Sequence, residues 1–389
     1  MNFIHRDQEQ RLRRLLRAFP GVLLTGPRQC GKSTMTKMAL AGWDFFDLER
    51  PSDLSLLEAD LEGFLDAHPK RLIIDEAQRM PALFSALRHA ADKGKGKGRF
   101  VLLGSAGPAL MRQVSESLAG RVGLMELTPF LSCELTGSTR AKDRWFWGGF
   151  PPVLALRDAR LRGEWFAAYI STLLERDLPA LGIGLPAGRL RRLWTMLTHV
   201  HGQLLNVSDL ARSLGVSSHT VNGDLDVLEG AYMIRRLSPY HANVQKRLTK
   251  SSKLYLRDTG LLHFLAGLRK PTELVTWPKR GHSFEGLVIE ELATLAHNRL
   301  VHPELFFWRT QAGAEVDLLI RDGRKVLPIE VKLGAAVDHR SVAGLRQCMA
   351  DLGLKRGWVI TSGTEPRTLS PEIEVVPWRM ITTGEIDLF

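Results

Sequence analysis

VLLTGPRQCGKST, Val22 to Thr34, decides the fold. An apolar strand runs into a glycine-rich turn and straight out into a helix start. Gly26-Pro27-Arg28-Gln29-Cys30-Gly31-Lys32-Ser33 fits GxxxxGK[ST] without a mismatch. The glycines let successive backbone N–H groups curl round phosphate oxygens, and the helix N-terminus adds a favourable dipole. Lys32 is placed to reach the β- and γ-phosphates, and the Ser33 hydroxyl to sit on Mg2+. Gly26 to Thr34 is therefore the expected ATP-contacting segment of an α/β domain built on a parallel sheet.

The partner of that loop is RLIIDEAQR, Arg71 to Arg79. Leu72, Ile73 and Ile74 form a short, wholly apolar strand, as in a sheet covered on both faces. Asp75 at its carboxyl end suits Mg2+, directly or through water. Glu76 can polarise an attacking water, which points to hydrolysis rather than binding alone. A third apolar strand, RFVLLGSAG, ends in Ser105, a γ-phosphate sensor or simply the cap of the next helix. Arg121, in SLAGRVGLMEL, reads either as the arginine that stabilises the transition state, within the chain or across a subunit boundary, or as a surface ion pair.

With 389 residues the chain has room for two to four domains. Hydrophobic residues at 44% and charged residues at 24% are ordinary soluble composition. No apolar run approaches the ~20 residues that cross a bilayer. The start, MNFIHRDQEQRLRRLL, lacks the apolar stretch of a secretory signal. Cys30, Cys133 and Cys348 lie far apart and suit a reducing cytoplasm. A net charge of +11 favours a polyanionic partner, nucleic acid first.

In the middle, Thr128 to Leu156 is irregular and aromatic and reads as a domain junction. An amphipathic helix follows to Leu181; its Arg176 reads as a solvated residue or a lid contact to nucleotide. Asn206 to Leu237 carries a helix–turn–helix pattern, with Asn206 or Ser208 capping the first helix, Gly215 making the turn and Ser217 capping the second. Tyr232–Leu237 and Lys253–Leu256 would form a wing. The groove-facing positions Ser218, His219, Asn222 and Gly223 are poor in Arg and Lys, which argues against base reading. Positive charge gathers instead in the wing, at Arg235, Arg236, Lys246, Arg247, Lys250 and Lys253, a pattern for phosphate contacts. Winged helices also serve as protein-binding modules, and that reading stays open.

The tail contains GAEVDLLIRDGRKVLPIEVK, Gly313 to Lys332. A turn at Asp322-Gly323 pairs Arg321 with Arg324, sets Asp317 opposite Pro328 and Glu315 opposite Glu330. Asp317, Glu330 and Lys332 then project from one face, and a slip of one residue would turn Asp317 to the other. Two carboxylates and a lysine so placed suit a hard divalent cation and an attacking water. Glu285, near the start of the helix SFEGLVIEELATLAH, lies beside that helix's apolar stripe. On spacing alone, the hairpin reads equally as a nuclease face or as an ordinary wet face.

Together, GPRQCGKST, LIIDEAQR, GSA followed by SLAGR, GGFPP, YISTLLERDLPALG, YLRDTGLL, FEGLVIEEL, and EVDLLI with IEVK resemble a large prokaryotic family of AAA+ ATPases. The C-terminal half of that family is catalogued as a domain of unknown function with a PD-(D/E)xK nuclease-like fold. The resemblance covers nearly the whole chain. It implies an α/β AAA+ P-loop ATPase domain over 1–135, a junction and helical lid over 136–187, a winged-helix domain over 188–270 and a restriction-endonuclease-like α/β domain over 271–389. It implies nucleotide contacts at Gly31, Lys32, Ser33, Asp75 and Glu76, and nuclease-like positions at Glu285, Asp317, Glu330 and Lys332, with Mg2+ or Mn2+ there besides the Mg2+ of ATP. It also implies a cytoplasmic homo-oligomer, a hexameric ring by analogy with other AAA+ ATPases. The expected function is an ATP-driven motor that moves along or remodels DNA, branched DNA included, without reading sequence. The rival expectations are a switch-like regulatory ATPase that binds proteins and a nucleotide-gated DNA nuclease.

Overall fold

The computed structural model describes residues 4–93, 96–104, 117–137, 143–240 and 251–389. Ser105, Lys246, Arg247 and Lys250 lie outside these residues. The described chain forms two compact units. The first takes in residues up to Phe130 with the short pieces Phe150–Pro152 and Gly230–Tyr232; the second holds the rest.

In the first unit, β1 (Gly21–Thr25), β2 (Asp44–Asp47), β3 (Leu72–Asp75), β4 (Phe100–Leu103) and β5 (Val122–Glu126) form an all-parallel sheet in the order β2-β3-β4-β1-β5. Alternation along β1 feeds two cores. Leu23 joins Leu72, Ile74 and Leu102 under the helices that carry Phe64, Leu83 and Phe84. Val22 and Leu24 join Ile73, Val101 and Leu103 under Leu12, Leu16 and Met35. Helices on both faces explain why the central strands β1 and β4, and Leu72–Ile74 of β3, are apolar and buried on both sides. All strands run the same way, so Thr25 and Asp75 end on one edge of the sheet, where ligands of open parallel sheets bind.

The second unit carries β6 (Gln203–Leu204), β7 (Ile234–Pro239), β8 (Lys253–Leu256), β9 (Glu304–Arg309), β10 (Glu315–Asp322), β11 (Lys325–Lys332), β12 (Gly357–Thr361), β13 (Arg367–Ser370) and β14 (Ile373–Pro377). They make one mixed sheet in the order β13-β14-β12-β11-β10-β9-β7-β8-β6. The two strands expected to form a projecting wing are therefore interior members: β7 lies between β8 and β9, and β8 between β7 and β6. The helix Val207–Leu214 is capped by the Asn206 side chain, which accepts from Asp209 N, and ends at Gly215 with φ 68°. Ser217 Oγ accepts from Thr220 N at the start of the helix Ser218–Gly230.

The β10–β11 hairpin turns at Gly323-Arg324, with Asp322 paired to Lys325 and Leu318 to Ile329. The register thus differs by two residues from the one expected from an Asp322-Gly323 turn. Gly323, at φ 59°, takes the left-handed first position of the loop, where tight hairpins favour glycine. A shift of two preserves the face, so Asp317 stays on the side of Glu330.

One helix organises this unit. Arg280–Arg299 packs Phe284, Leu287, Val288, Leu292 and Leu295 against Phe307, Leu318, Ile320 and Ile329 of the sheet. Its acidic residues Glu285, Glu290 and Glu291 are buried as well. Glu290 receives Arg235 Nε at 2.5 Å and Arg257 Nε at 2.9 Å. Glu291 receives Arg144 Nη2 at 3.0 Å and the Ser132 backbone and hydroxyl. Burial alone would raise the Glu290 carboxyl, but Arg235 and Arg257 outweigh it and hold its pKa at about 2, below the usual 4.5. A depressed carboxylate pKa contributes stability that is complete above about 4.5 and is lost as pH falls toward 2. Removing that charge leaves two arginines without their counter-ion. Glu290→Gln should therefore destabilise the second unit by about 3–5 kcal/mol and flatten its acid unfolding in that pH window, as read by urea titrations across pH.

Candidate functional site

The nucleotide site is assembled at the carboxyl edge of β1 and β3. Gly26 takes φ 144°, and a Cβ there would meet the Leu127 carbonyl oxygen at 2.2 Å, so the loop requires glycine at this position. Lys32, buried, donates from Nζ to the carbonyls of Gly26 and Pro27, both at 3.0 Å, which places its ammonium inside the loop. Ser33 Oγ donates to Asp75 Oδ2 at 2.5 Å. A hydroxyl and a carboxylate in direct contact at the mouth of this loop can hold one Mg2+ between them, so the residues present fit Mg-ATP. Bound Mg2+ supplies charge neutralisation at the β- and γ-phosphates.

Glu76 sits at φ 53°, a left-handed conformation uncommon for a non-glycine residue. Its own backbone N–H donates to Asp75 Oδ1 at 3.0 Å, which holds the Asp75 carboxylate in place. Burial pushes the Glu76 carboxyl up, while Lys32 and Arg28 pull it back. Gln78 Nε2 donates to Glu76 Oε2 and sets its orientation. Thr34 is exposed on the helix one position beyond Ser33, Gln29 is exposed in the loop at φ 61°, and Arg28 lies 3.7 Å from Glu49.

Two residues that sequence reasoning passed over complete this site. Besides Gln78, Arg6 is 5% exposed, with Nη1 donating to Cys30 O at 3.1 Å and Nη2 to Thr128 O at 2.7 Å. It ties the phosphate loop to the chain leaving β5 and lies 4.5 Å from the centre of the Phe130 ring. No local pattern marks an arginine whose partners are 24 and 122 residues away.

Of the readings open for Arg121, the fold shows the surface ion pair. Its carbonyl receives Gly21 N at 3.1 Å, so it stands at the amino edge of β1 and β5. The phosphate loop leaves the opposite edge, about five residues or ~16 Å away along the strand. The Arg121 guanidinium instead forms a two-point contact with Asp92, at 2.7 and 2.9 Å. Within this chain it does not reach the nucleotide.

In the second unit the tail carboxylates converge, but around an ammonium. Lys253 Nζ donates to Glu285 Oε1 at 3.0 Å and to Asp317 Oδ1 at 3.1 Å, and also pairs with Glu315. Tyr255, two residues along β8 and so on the same face, donates to Glu285 Oε1 at 2.5 Å. Val331 N donates to Asp317 Oδ2 at 3.0 Å, and Lys332 Nζ to Glu330 Oε1 at 2.5 Å. Burial, then the Asp317 charge, moves both Glu285 and Glu330 upward. Burial works against the Lys253 charge, but Tyr255, Glu285, Asp317 and Glu315 together hold its pKa well above the usual range.

The expected metal set of Glu285, Asp317 and Glu330 with Lys332 is thus brought together, yet it does not fit a metal. Among the described residues no group of three or more His, Cys, Asp or Glu side chains is placed to hold one. Of the expected phosphate contacts, the three among the described residues are engaged within the fold. Lys253 is 2% exposed inside this cluster, Arg235 is engaged by Glu290, and Arg236 by Asp226 and Glu229. Arg176 pairs with its neighbour Asp177 at 3.1 Å.

Over 386 residues the chain is 42% identical to uncharacterized proteins of Mycobacterium tuberculosis and Mycobacterium bovis, spanning 98% of this chain and 86% of theirs. The chain belongs to their family. Residues 18–136 match an AAA domain, and residues 138–272 and 280–381 match two domains of unknown function, DUF8612 and DUF4143. Among solved structures, a Walker-type ATPase of Pyrococcus abyssi aligns at TM-score 0.44 and 17% identity, over 68% of this chain and 96% of that one. The first unit of this family member is a P-loop ATPase domain of the AAA type. Among the described residues no helix is long and apolar enough to cross a membrane.

Two substitutions separate the roles within the site. Glu76→Gln should keep ATP affinity while turnover falls by about 10²–10⁴-fold. Arg6→Ala, which loses two hydrogen bonds from a charged donor, should raise KM for ATP about tenfold or more, with Arg6→Lys only partly restoring it. Steady-state ATPase assays with equilibrium binding of ATP distinguish the two.

Proposed function

We propose that this protein hydrolyses Mg-ATP as a switch, and that its second unit is a protein-binding module which the nucleotide state controls. The contact between Ser33 and Asp75, with the Glu76 carboxylate held by Gln78, carries the hydrolytic half of this reading. Lys32 would hold the β- and γ-phosphates, Ser33 and Asp75 the Mg2+, and Glu76 the attacking water. The exposed face of the helix Ser218–Gly230 supports a protein rather than a nucleic-acid partner. On the helix Ser218–Gly230, the exposed Ser218, His219, Asn222 and Gly223 are uncharged, and the exposed Asp226 is acidic. The arginines behind that helix are paired with carboxylates: Arg189 with Asp224, Arg236 with Asp226 and Glu229. Three free cysteines, two of them buried, suit a cytoplasmic protein.

The net charge of +11 favours a second reading, in which the same ATPase grips or moves along DNA without reading its sequence. Under either reading, oligomers complete the site, since Arg121 does not supply a finger within its own chain and a second copy would have to.

ATP turnover measured alone and with duplex, forked and four-way-junction DNA separates the two. The switch reading expects unchanged turnover and no salt-sensitive DNA binding, together with a change in particle size on adding ATP to Glu76→Gln. Stimulation by any of the DNAs replaces it with the motor reading.

A further inference from the structure

The tail cluster holds a cation, and that cation belongs to the chain. An ammonium has three N–H donors, and those of Lys253 face three carboxylates, Glu285, Asp317 and Glu315. The lysine is 2% exposed, and its strand neighbour Tyr255 is fully buried against the same glutamate. Charged groups this deep persist only when paired, so the carboxylates and the ammonium require one another. One acceptor is left over. Glu330 Oε2 is buried with no hydrogen-bond partner, although the residue is 7% exposed and its other oxygen is held by Lys332. A set of oxygens from one helix and two adjacent strands, with a buried acceptor to spare, is the donor chemistry of a hard divalent cation. Here a tethered monovalent cation stands in its place.

We propose that the Lys253 ammonium is a built-in substitute for a divalent metal ion, which keeps the Glu285, Asp317 and Glu330 set metal-free and non-cleaving, and that removing Lys253 turns this set into a divalent-cation site. The substitution has two consequences. The cluster is neutralised independently of metal supply. The lysine also joins β8 to the helix Arg280–Arg299 and to β10, so an ionic contact replaces a metal bridge across the sheet. A purely structural ion pair would make a different prediction: its loss destabilises the unit and creates no affinity for metal.

The test uses the full chain without nucleotide, carrying Ser33→Ala so that the phosphate-loop site takes no cation. Free Mn2+ is followed by electron paramagnetic resonance during titration, and thermal melting is recorded with and without Mn2+. The Ser33→Ala parent should bind no Mn2+ in the tail. Adding Lys253→Met should create a single site of about 10–1,000 µM affinity, the range of modest oxygen-ligand sites, and Mn2+ should raise its melting temperature. Adding Asp317→Asn to that variant should abolish the site. If Lys253→Met fails to fold in metal-free buffer, recovery of folding by Mn2+ supports the proposal equally. Lys253→Met with Glu315→Gln, which removes one negative charge along with the lysine, gives the same readout in a less repulsive background. A tail site that binds Mn2+ in the parent overturns the proposal, and so does the absence of any Mn2+-dependent binding or recovery in both lysine variants.

Discussion

Buried charge must be answered by charge, and one helix imposes that demand on the whole second unit. Arg280–Arg299 takes Glu285, Glu290 and Glu291 out of water, on a helix whose remaining surface is almost entirely packed. Each carboxylate draws its partner from a different part of the chain. Lys253 and Tyr255 come to Glu285, Arg235 and Arg257 to Glu290, and Arg144 and Ser132 to Glu291. Stretches that look like separate modules in sequence are thereby held on one scaffold, and β7 pairing with β9 continues the sheet across them. Leaving any of these partners out would strand a charge in low dielectric, which costs more than the pair itself contributes.

The first unit solves a simpler problem. Its five strands run parallel, so every chemical group at a strand's carboxyl end reaches the same edge. Thr25 hands over to the phosphate loop there, and Asp75 and Glu76 arrive beside it from β3. The same directionality keeps Arg121 away from its own chain's nucleotide. A residue just before β5 is carried to the far edge, whatever its spacing from the motif suggests.

That contrast explains what the sequence made legible. The phosphate loop and Asp75-Glu76 are local patterns, in which residue type and immediate order are the chemistry, and both were readable directly. The tail hairpin was readable in its face but not in its turn, because a period of two forgives a register shift of two and not of one. The Asn206 cap and the Gly215 stop followed from the same kind of short-range rule. Arg6, Lys253 and the Arg235–Glu290 pair were not readable, since they join residues from 24 to 122 positions apart. A faint signal existed for Lys253. In KLYL, a charge and a tyrosine share one face of a strand whose other face is leucine. A lysine in that setting is either on an edge or answering a buried acid.

Net charge was the least dependable guide for a related reason. It sums both signs over the whole chain and does not say where the excess lies. Arg144, Arg189, Arg235, Arg236, Arg257 and Lys253 are each bound to a carboxylate of their own chain, so these pairs cancel within the sum and the +11 is carried by other cations. A cation already paired at close range presents a dipole to an approaching phosphate rather than a full charge. Its release would also leave an acid unpaired in the interior. Strands that display basic residues in a sequence can thus be neutral in the fold. Lys253 is the extreme case, a residue that looks like a phosphate contact and is instead the counter-ion of a carboxylate cluster.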